Sequence, residues 1–241
     1  LNDLDLFFIF DFKRLYPTIF FETYYLTRNK TDNTFYNGVY RIKDDIKFRL
    51  VQFRTGLKIP VFGSELEMAI SRQWYRAFIQ EQVYTNEGIL DPGAAYDYFR
   101  GWSLNSNWKI DMRKRTLDKT INPSNGFTLN ANLDIEKNDF IDGLDFSDSG
   151  TLLESFKPNN LLRFQFAGSY HHRLPRIDLL TLSISTKMGW ISNKNADSFF
   201  HFYMGGMPGL RGYPYYAIHG TKSGMVDLTI RAPLFREKHY K

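Results

Sequence analysis

Cysteine is absent from the 241 residues, which excludes a disulfide framework and thiolate metal sites without choosing a compartment. No run of 18 or more apolar residues occurs, so no transmembrane helix is expected. That absence leaves a strand-built membrane protein open, because in a transmembrane β-barrel the polar half of each strand cancels the lipid-facing half in any average. An excess of one charge is lacking as well. The 31 basic and 26 acidic residues are spread along the chain, so the net charge of +5 marks no basic face and no nucleic acid is expected as a partner. There is no internal repeat beyond a strand-loop rhythm and no Ser/Gly-rich linker. No Gly-rich loop follows a strand and opens a helix to cradle phosphates. What is plentiful is aromatic: Phe 22, Tyr 15 and Trp 4, too many for a disordered sequence.

The hydrophobic pattern has period two. Phe127, Leu129, Ala131, Leu133 and Ile135 are interleaved with Thr128, Asn130, Asn132, Asp134 and Glu136. Leu162, Phe164, Phe166, Gly168 and Tyr170 alternate with Arg163, Gln165, Ala167 and Ser169, and Leu180, Leu182, Ile184, Thr186, Met188 and Trp190 with Thr181, Ser183, Ser185, Lys187 and Gly189. Val226, Leu228, Ile230, Ala232 and Leu234 alternate with Asp227, Thr229 and Arg231. One apolar and one polar face is how half-buried strands read. These strands reach the roughly 9–11 residues that a tilted strand needs to cross a bilayer, beyond the usual five or six of soluble sheets. Noisier candidates occupy 4–12, 18–28, 46–59, 66–80 and 96–112, and Trp74, Trp102, Trp108 and Trp190 lie where interfacial girdle residues would sit. Residues 65–81 are the best helical alternative, with irregular apolar spacing.

Connections between the nine candidates alternate: short at 13–17, 60–65 and 174–177, intermediate at 113–126, and long at 29–45, 81–95, 137–159 and 192–224. Outer-membrane barrels have short periplasmic turns and longer extracellular loops, which assigns the long connections to the outside. The expectation is an all-β, transmembrane antiparallel β-barrel. A soluble β-barrel binding a small ligand is the competing architecture, and it predicts solubility without detergent.

The last long connection contains Phe202-Tyr203-Met204-Gly205-Gly206-Met207-Pro208-Gly209-Leu210-Arg211-Gly212-Tyr213. It resembles the signature of the BamA-like superfamily of outer-membrane insertases and translocases, a Gly-Gly pair ahead of a Val/Leu-Arg-Gly-Phe/Tyr tetrad. Upstream, Asn122-Pro123-Ser124-Asn125-Gly126 is similar to that family's Pro-x-x-Gly entry into a strand. Downstream, Leu228-Thr229-Ile230-Arg231-Ala232-Pro233-Leu234 is similar to the strand after the signature loop. The three features span Ile121 to Phe235 in order; the N-terminal half matches by strand rhythm alone.

The resemblance implies a 16-stranded barrel of which strands four to twelve are present, so that 1–241 is part of one barrel domain and belongs to a longer polypeptide. Neither a signal peptide nor a C-terminal aromatic signal is read in the sequence. It implies that loop 192–224 folds into the lumen, with Gly205, Gly206, Gly209 and Gly212 permitting positive φ and close backbone approach. Leu210 and Tyr213 would pack the tip, and Arg211 would fork onto a carboxylate of the wall. Asp227 is the available acid, and Pro123 and Gly126 form the periplasmic turn motif. The function implied is insertion, assembly or translocation of polypeptides at the bacterial outer membrane, without enzymatic chemistry or cofactor. Its partners would be outer-membrane lipid, lipopolysaccharide, client polypeptides and other envelope assembly subunits. The alternative is a barrel anchoring a fused upstream domain such as a TolB-like propeller, a patatin-like lipase or a metallophosphatase, suggested by the run Gly209 to Tyr216.

Other chemistry reads poorly. His171 and His172 are adjacent, and successive strand side chains point to opposite faces, so they do not ligate one ion. Ser183 and Ser185 share the polar face while His172 lies on the other, which separates a nucleophile from a base. His201 and His219 lack Cys or Glu at ligand spacing, and His239 sits in a charged tail. Asp134, Glu136, Asp139, Asp142, Asp145 and Asp148 form an acidic rim without the ligand spacing of a calcium loop. No metal site is expected.

Overall fold

The computed structural model describes residues 3–36, 39–61, 63–79, 82–84, 89–91, 93–114, 123–148, 152–174, 180–206, 212–214 and 217–232. The strands are β1 (Leu4–Phe12), β2 (Thr18–Tyr36), β3 (Val39–Val61), β4 (Ser64–Ile79), β5 (Gln82–Tyr84), β6 (Ile89–Asp91) and β7 (Ala94–Asp111). They continue with β8 (Gly126–Phe146), β9 (Leu152–Pro158), β10 (Leu161–Arg173), β11 (Thr181–Ile191), β12 (Phe202–Met204), β13 (Ile218–Gly220) and β14 (Lys222–Arg231). One sheet runs β1-β2-β3-β4-β7-β8-β10-β11-β14, with β9 added beside β8; β5-β6 and β12-β13 are separate small ribbons. All nine expected strands are present in the expected order, and the described part of 65–81, through Ile79, is strand β4 rather than helix. Among the described residues no helix is long and apolar enough to cross a membrane.

The sequence understates the strands at one end. β2 and β3 continue to Tyr36 and from Val39, so most of the expected 29–45 loop is sheet, and β8 and β9 take up most of the 137–159 connection. Residues 29–36, Asn-Lys-Thr-Asp-Asn-Thr-Phe-Tyr, are largely polar. A largely polar run carries no alternation to read.

The chain divides into two compact units. The first comprises Leu1–Leu57, Ala69–Leu104 and Ile135–Asn160. In it β1 and β2 pair antiparallel with Phe10 opposite Phe21 and Phe12 opposite Ile19 on the apolar face. That face continues through Phe21 stacked on Phe53 and Phe53 edge-on to Trp74, with ring centroids 6.5 and 6.0 Å apart. The opposite face is polar and close-packed. Arg54 reaches Glu22 at 2.7 Å and lies over the ring of the fully buried Phe20, and Ser71 and Ser103 bond at 2.7 Å. Asn138, also fully buried, donates to Glu136 and covers Gly101, where a Cβ would lie 2.1 Å from the Asn138 Oδ1. Any larger residue at 101 would collide with that amide.

The second unit comprises Lys58–Met68, Asn105–Asp134 and Leu161–Lys241. Here the register of β10, β11 and β14 stacks Tyr170, Ile184 and Leu228 on the apolar face, and Ser169, Ser185 and Asp227 on the polar one. Thr128 and Ser169 bond at 2.6 Å, and Asn105 donates to Asn132 at 2.6 Å and also bonds Asp134.

The burial is inverted relative to a water-soluble sheet. Among the described residues nine apolar side chains are buried, against 37 large ones that are exposed. Edge strands do not explain this, because Met68 and Ile70 on β4 and Trp102 and Leu104 on β7, both interior strands, are 43–54% exposed. Leaving such a side chain in water forgoes on the order of 1 kcal/mol at half exposure. Summed over the face, that exceeds the 5–15 kcal/mol that holds a domain together. Lipid, which is as apolar as these side chains, removes the penalty.

Candidate functional site

The polar face of β10, β11 and β14 carries a loop between Ser192 and Thr221, of which 192–206, 212–214 and 217–221 are described. At its start the β10-β11 ladder is prolonged by Ser192, whose N–H donates to Leu162 O and whose Oγ accepts from Leu162 N, both at 2.9 Å. Asp197 then caps a single 3₁₀ turn, Ser198–Phe200, by accepting from Phe199 N at 2.9 Å, which satisfies a donor at the turn's open end. Phe200 is buried, and the Arg163 guanidinium on β10 donates to its carbonyl.

From there β12 and β13 form a three-residue antiparallel ribbon. His201 and His219 clasp its base. His201 donates from Nε2 to Ala196 O at 3.0 Å, which leaves its Nδ1 lone pair to accept from His219 Nδ1, also at 3.0 Å. Their rings stack, with centroids 5.3 Å apart. Tyr203 donates to Ser198 O at 2.7 Å, tying the ribbon to the 3₁₀ turn.

Two glycines make the ribbon's far end possible. Gly205 and Gly206 have φ of +124° and +81°, a region that side chains with a Cβ rarely adopt. A Cβ on Gly205 would stand 2.2 Å from Pro214 O. Gly206 N–H donates to Tyr213 O at 3.0 Å and closes the return. The wall contributes a third glycine. A Cβ on Gly189 of β11 would be 2.8 Å from the Phe202 ring and 2.6 Å from Ser223 Oγ, so Phe202 rests on a bare patch of strand. Between loop and wall lies a cavity of about 480 Å³, lined on the wall side by Asn130, Asn132, Gln165 and Lys187, and on the loop side by Tyr203 and Gly205.

Among the residues singled out from sequence, Gly205, Gly206, Gly212 and Tyr213 lie together in this loop, Gly212 at φ +93° and Tyr213 exposed. Gly209, Leu210 and Arg211 lie outside the described residues. Asp227 is on the polar face of β14, exposed, and accepts from Thr229 Oγ1 at 2.7 Å. Pro123 is buried, and Gly126 opens β8 at φ +105°, where a Cβ would be 2.3 Å from Met112 O. Asn125 secures that turn by accepting from Arg173 N and, through its carbonyl, from Lys114 N.

Sequence reasoning missed two features. Gly189 carries no loop signature; only its place on the polar face of an alternating strand hints at a docking patch. His171 was weighed only beside His172. It is the member of that pair on the polar face, buried, with Nδ1 2.8 Å from Ser183 Oγ and Nε2 3.3 Å from Ser169 Oγ, while His172 stacks on Tyr170 on the apolar face. Hydroxyls occupy both ring nitrogens. A hydrolytic triad places a carboxylate on one of them, and no such bond is present among the described residues. No cluster of three metal-ligating side chains occurs among the described residues either.

Comparison with known proteins bears on the whole of this architecture. A search of curated proteins and a search of solved structures each return no match. The family model of the Omp85 superfamily domain matches residues 13–229, from the first turn through the strand that follows the glycine-rich loop. With its alternating antiparallel strands and its exposed apolar side chains, the chain belongs to the Omp85 superfamily, a family of outer-membrane β-barrel proteins.

Proposed function

We propose that this chain is part of one outer-membrane barrel domain that inserts, assembles or translocates polypeptides, acting by strand and loop contacts rather than by covalent chemistry. The loop at 192–224 folds into the lumen and braces the wall. The observation that carries this reading is the seating of Phe202 on Gly189, which sets the family's glycine-rich loop against the polar face of β11. Arg211 would extend the same attachment by pairing with a wall carboxylate; Asp227 is the acid available on β14, and Leu210 and Tyr213 would pack the tip. Client polypeptides, other envelope assembly subunits and the lipid and lipopolysaccharide of the outer membrane are the partners in this reading.

The test is reconstitution into lipid vesicles with an unfolded outer-membrane strand protein as client, scoring client folding by heat-modifiable gel migration. Arg211→Ala and Gly189→Leu should each lower client folding several-fold while the barrel itself still forms. Unchanged client folding in both variants would remove the loop from the mechanism. A wild-type chain that forms its barrel yet folds no client would favour the role of anchor for a fused domain.

A further inference from the structure

The apolar face in the first unit carries a band of cations set among rings, strand after strand. On β3 Leu57, Phe53 and Val51 are followed by Arg49; on β4 Ile70 is followed by Arg72. On β7 Leu104 and Trp102 lead back to Arg100, and on β8 Ile135 leads to Lys137. These four strands are consecutive antiparallel neighbours in the sheet, and their cations all stand toward the same end of it. The arginines are held against rings. Arg72 is 4.9 Å from the centroids of both Trp74 and Trp102, Arg49 is 4.8 Å from Phe78, and Arg100 is 4.1 Å from Phe156.

Carboxylates do not account for this belt. Arg100 meets Asp139 at 3.2 Å, but among the described residues no carboxylate pairs with Arg49, Arg72 or Lys137. Arg49 Nε is moreover buried without a hydrogen-bond partner among them. A guanidinium stacked on aromatic faces keeps its in-plane N–H donors at its edge. That geometry suits bidentate donation to a phosphate, and it keeps the long side chain ordered before binding. An isolated cation at the margin of a bilayer's apolar band is costly unless an anion meets it there.

We propose that Arg49, Arg72 and Lys137, with Trp74 and Trp102 as stacking platforms, bind the phosphate groups of a phosphorylated lipid in the leaflet at that end of the strands. The proposal rests on the membrane-barrel reading above, since it needs the apolar face in lipid.

The full chain is folded in neutral detergent micelles and titrated with a bisphosphorylated acyl glycolipid and with its dephosphorylated counterpart of identical acyl chains, bound lipid being counted by native mass spectrometry. The wild-type chain should prefer the phosphorylated lipid by about tenfold or more, the scale of one charge-assisted hydrogen bond. The pair Arg49→Gln and Arg72→Gln should abolish that preference, as should the exposed Lys137→Gln in part. Lys157→Gln, which removes a cation paired with Asp142, should leave it intact. Equal binding of the two lipids by the wild-type chain, or an undiminished preference in the double variant and in Lys137→Gln, would overturn the proposal alone. A chain that folds without detergent would instead overturn the membrane reading beneath it.

Discussion

Single glycines decide where backbone can approach backbone, and they do so through distances that a side chain cannot accommodate. At Gly205 a Cβ would meet Pro214 O at 2.2 Å with φ already at +124°. Gly205→Ala should therefore open the ribbon, at a cost of about 1–3 kcal/mol for the strained backbone. The expected readout is faster limited proteolysis between β12 and β13 with the long strands still protected; cleavage at the wild-type rate would mean that the ribbon tolerates the added carbon. Gly212, where nothing lies within 4 Å of an added Cβ, should respond to the same substitution through its φ alone and more weakly. The sequence announces Gly205 and Gly206 because they stand in a recognisable run. It is silent about Gly189, whose meaning depends on a ring arriving from 13 positions further along. His171 illustrates a different loss. Its face follows from strand parity, but Ser183 comes within 2.8 Å of it only through the register of two strands, and register cannot be read from either strand alone.

Elements are tied across the sheet by pairs whose worth depends on how dry they are. Arg54 on β3 and Glu22 on β2 meet at 2.7 Å with side chains 20% and 17% exposed, the guanidinium lying over Phe20. Arg28 and Asp5, joining β2 to β1, are 3.3 Å apart and 45% and 50% exposed. Removing one partner of a largely desolvated pair strands the other, whereas exposed pairs contribute at most about 1 kcal/mol. Arg54→Ala should thus lower stability by about 1–3 kcal/mol and Arg28→Ala by less than about 1 kcal/mol, measured as shifts in urea unfolding of the lipid-embedded chain. Equal shifts would show that the polar face is as wet at Arg54 as at the sheet edge. Strand existence and order were legible throughout, because each of the nine main strands keeps an apolar face over part of its length. Strand ends were not. Where β2 continues past Arg28 the sequence is largely polar, and the alternation that marks a strand disappears although the backbone pairing persists.

At the scale of the whole molecule the deciding property is which face meets which solvent. Low mean hydropathy, no transmembrane helix and a modest net charge all describe a water-soluble protein as well as a membrane-embedded one. The faces separate the two. Ile70 and Ser71 are successive residues of the interior strand β4, one 54% exposed on the apolar face and the other 3% exposed on the polar face. An arginine at 70 would stand in hydrocarbon if the apolar face meets lipid. The expected cost for folding into vesicles is then about 2–4 kcal/mol near mid-depth, falling toward the interfaces. The same change at Trp108, close to the short turn after which β4 begins, should cost about 1 kcal/mol or less. In water the penalty disappears at both sites, since replacing an exposed apolar side chain by a charge raises solubility and leaves stability nearly unchanged. Urea titration of Ile70→Arg and Trp108→Arg during folding into neutral vesicles therefore discriminates directly. A graded penalty, larger at 70 than at 108, is what an apolar face immersed in lipid requires. Two variants as stable as the wild-type chain would place that face in water and would leave its exposed Met68, Ile70, Trp102 and Leu104 without an explanation.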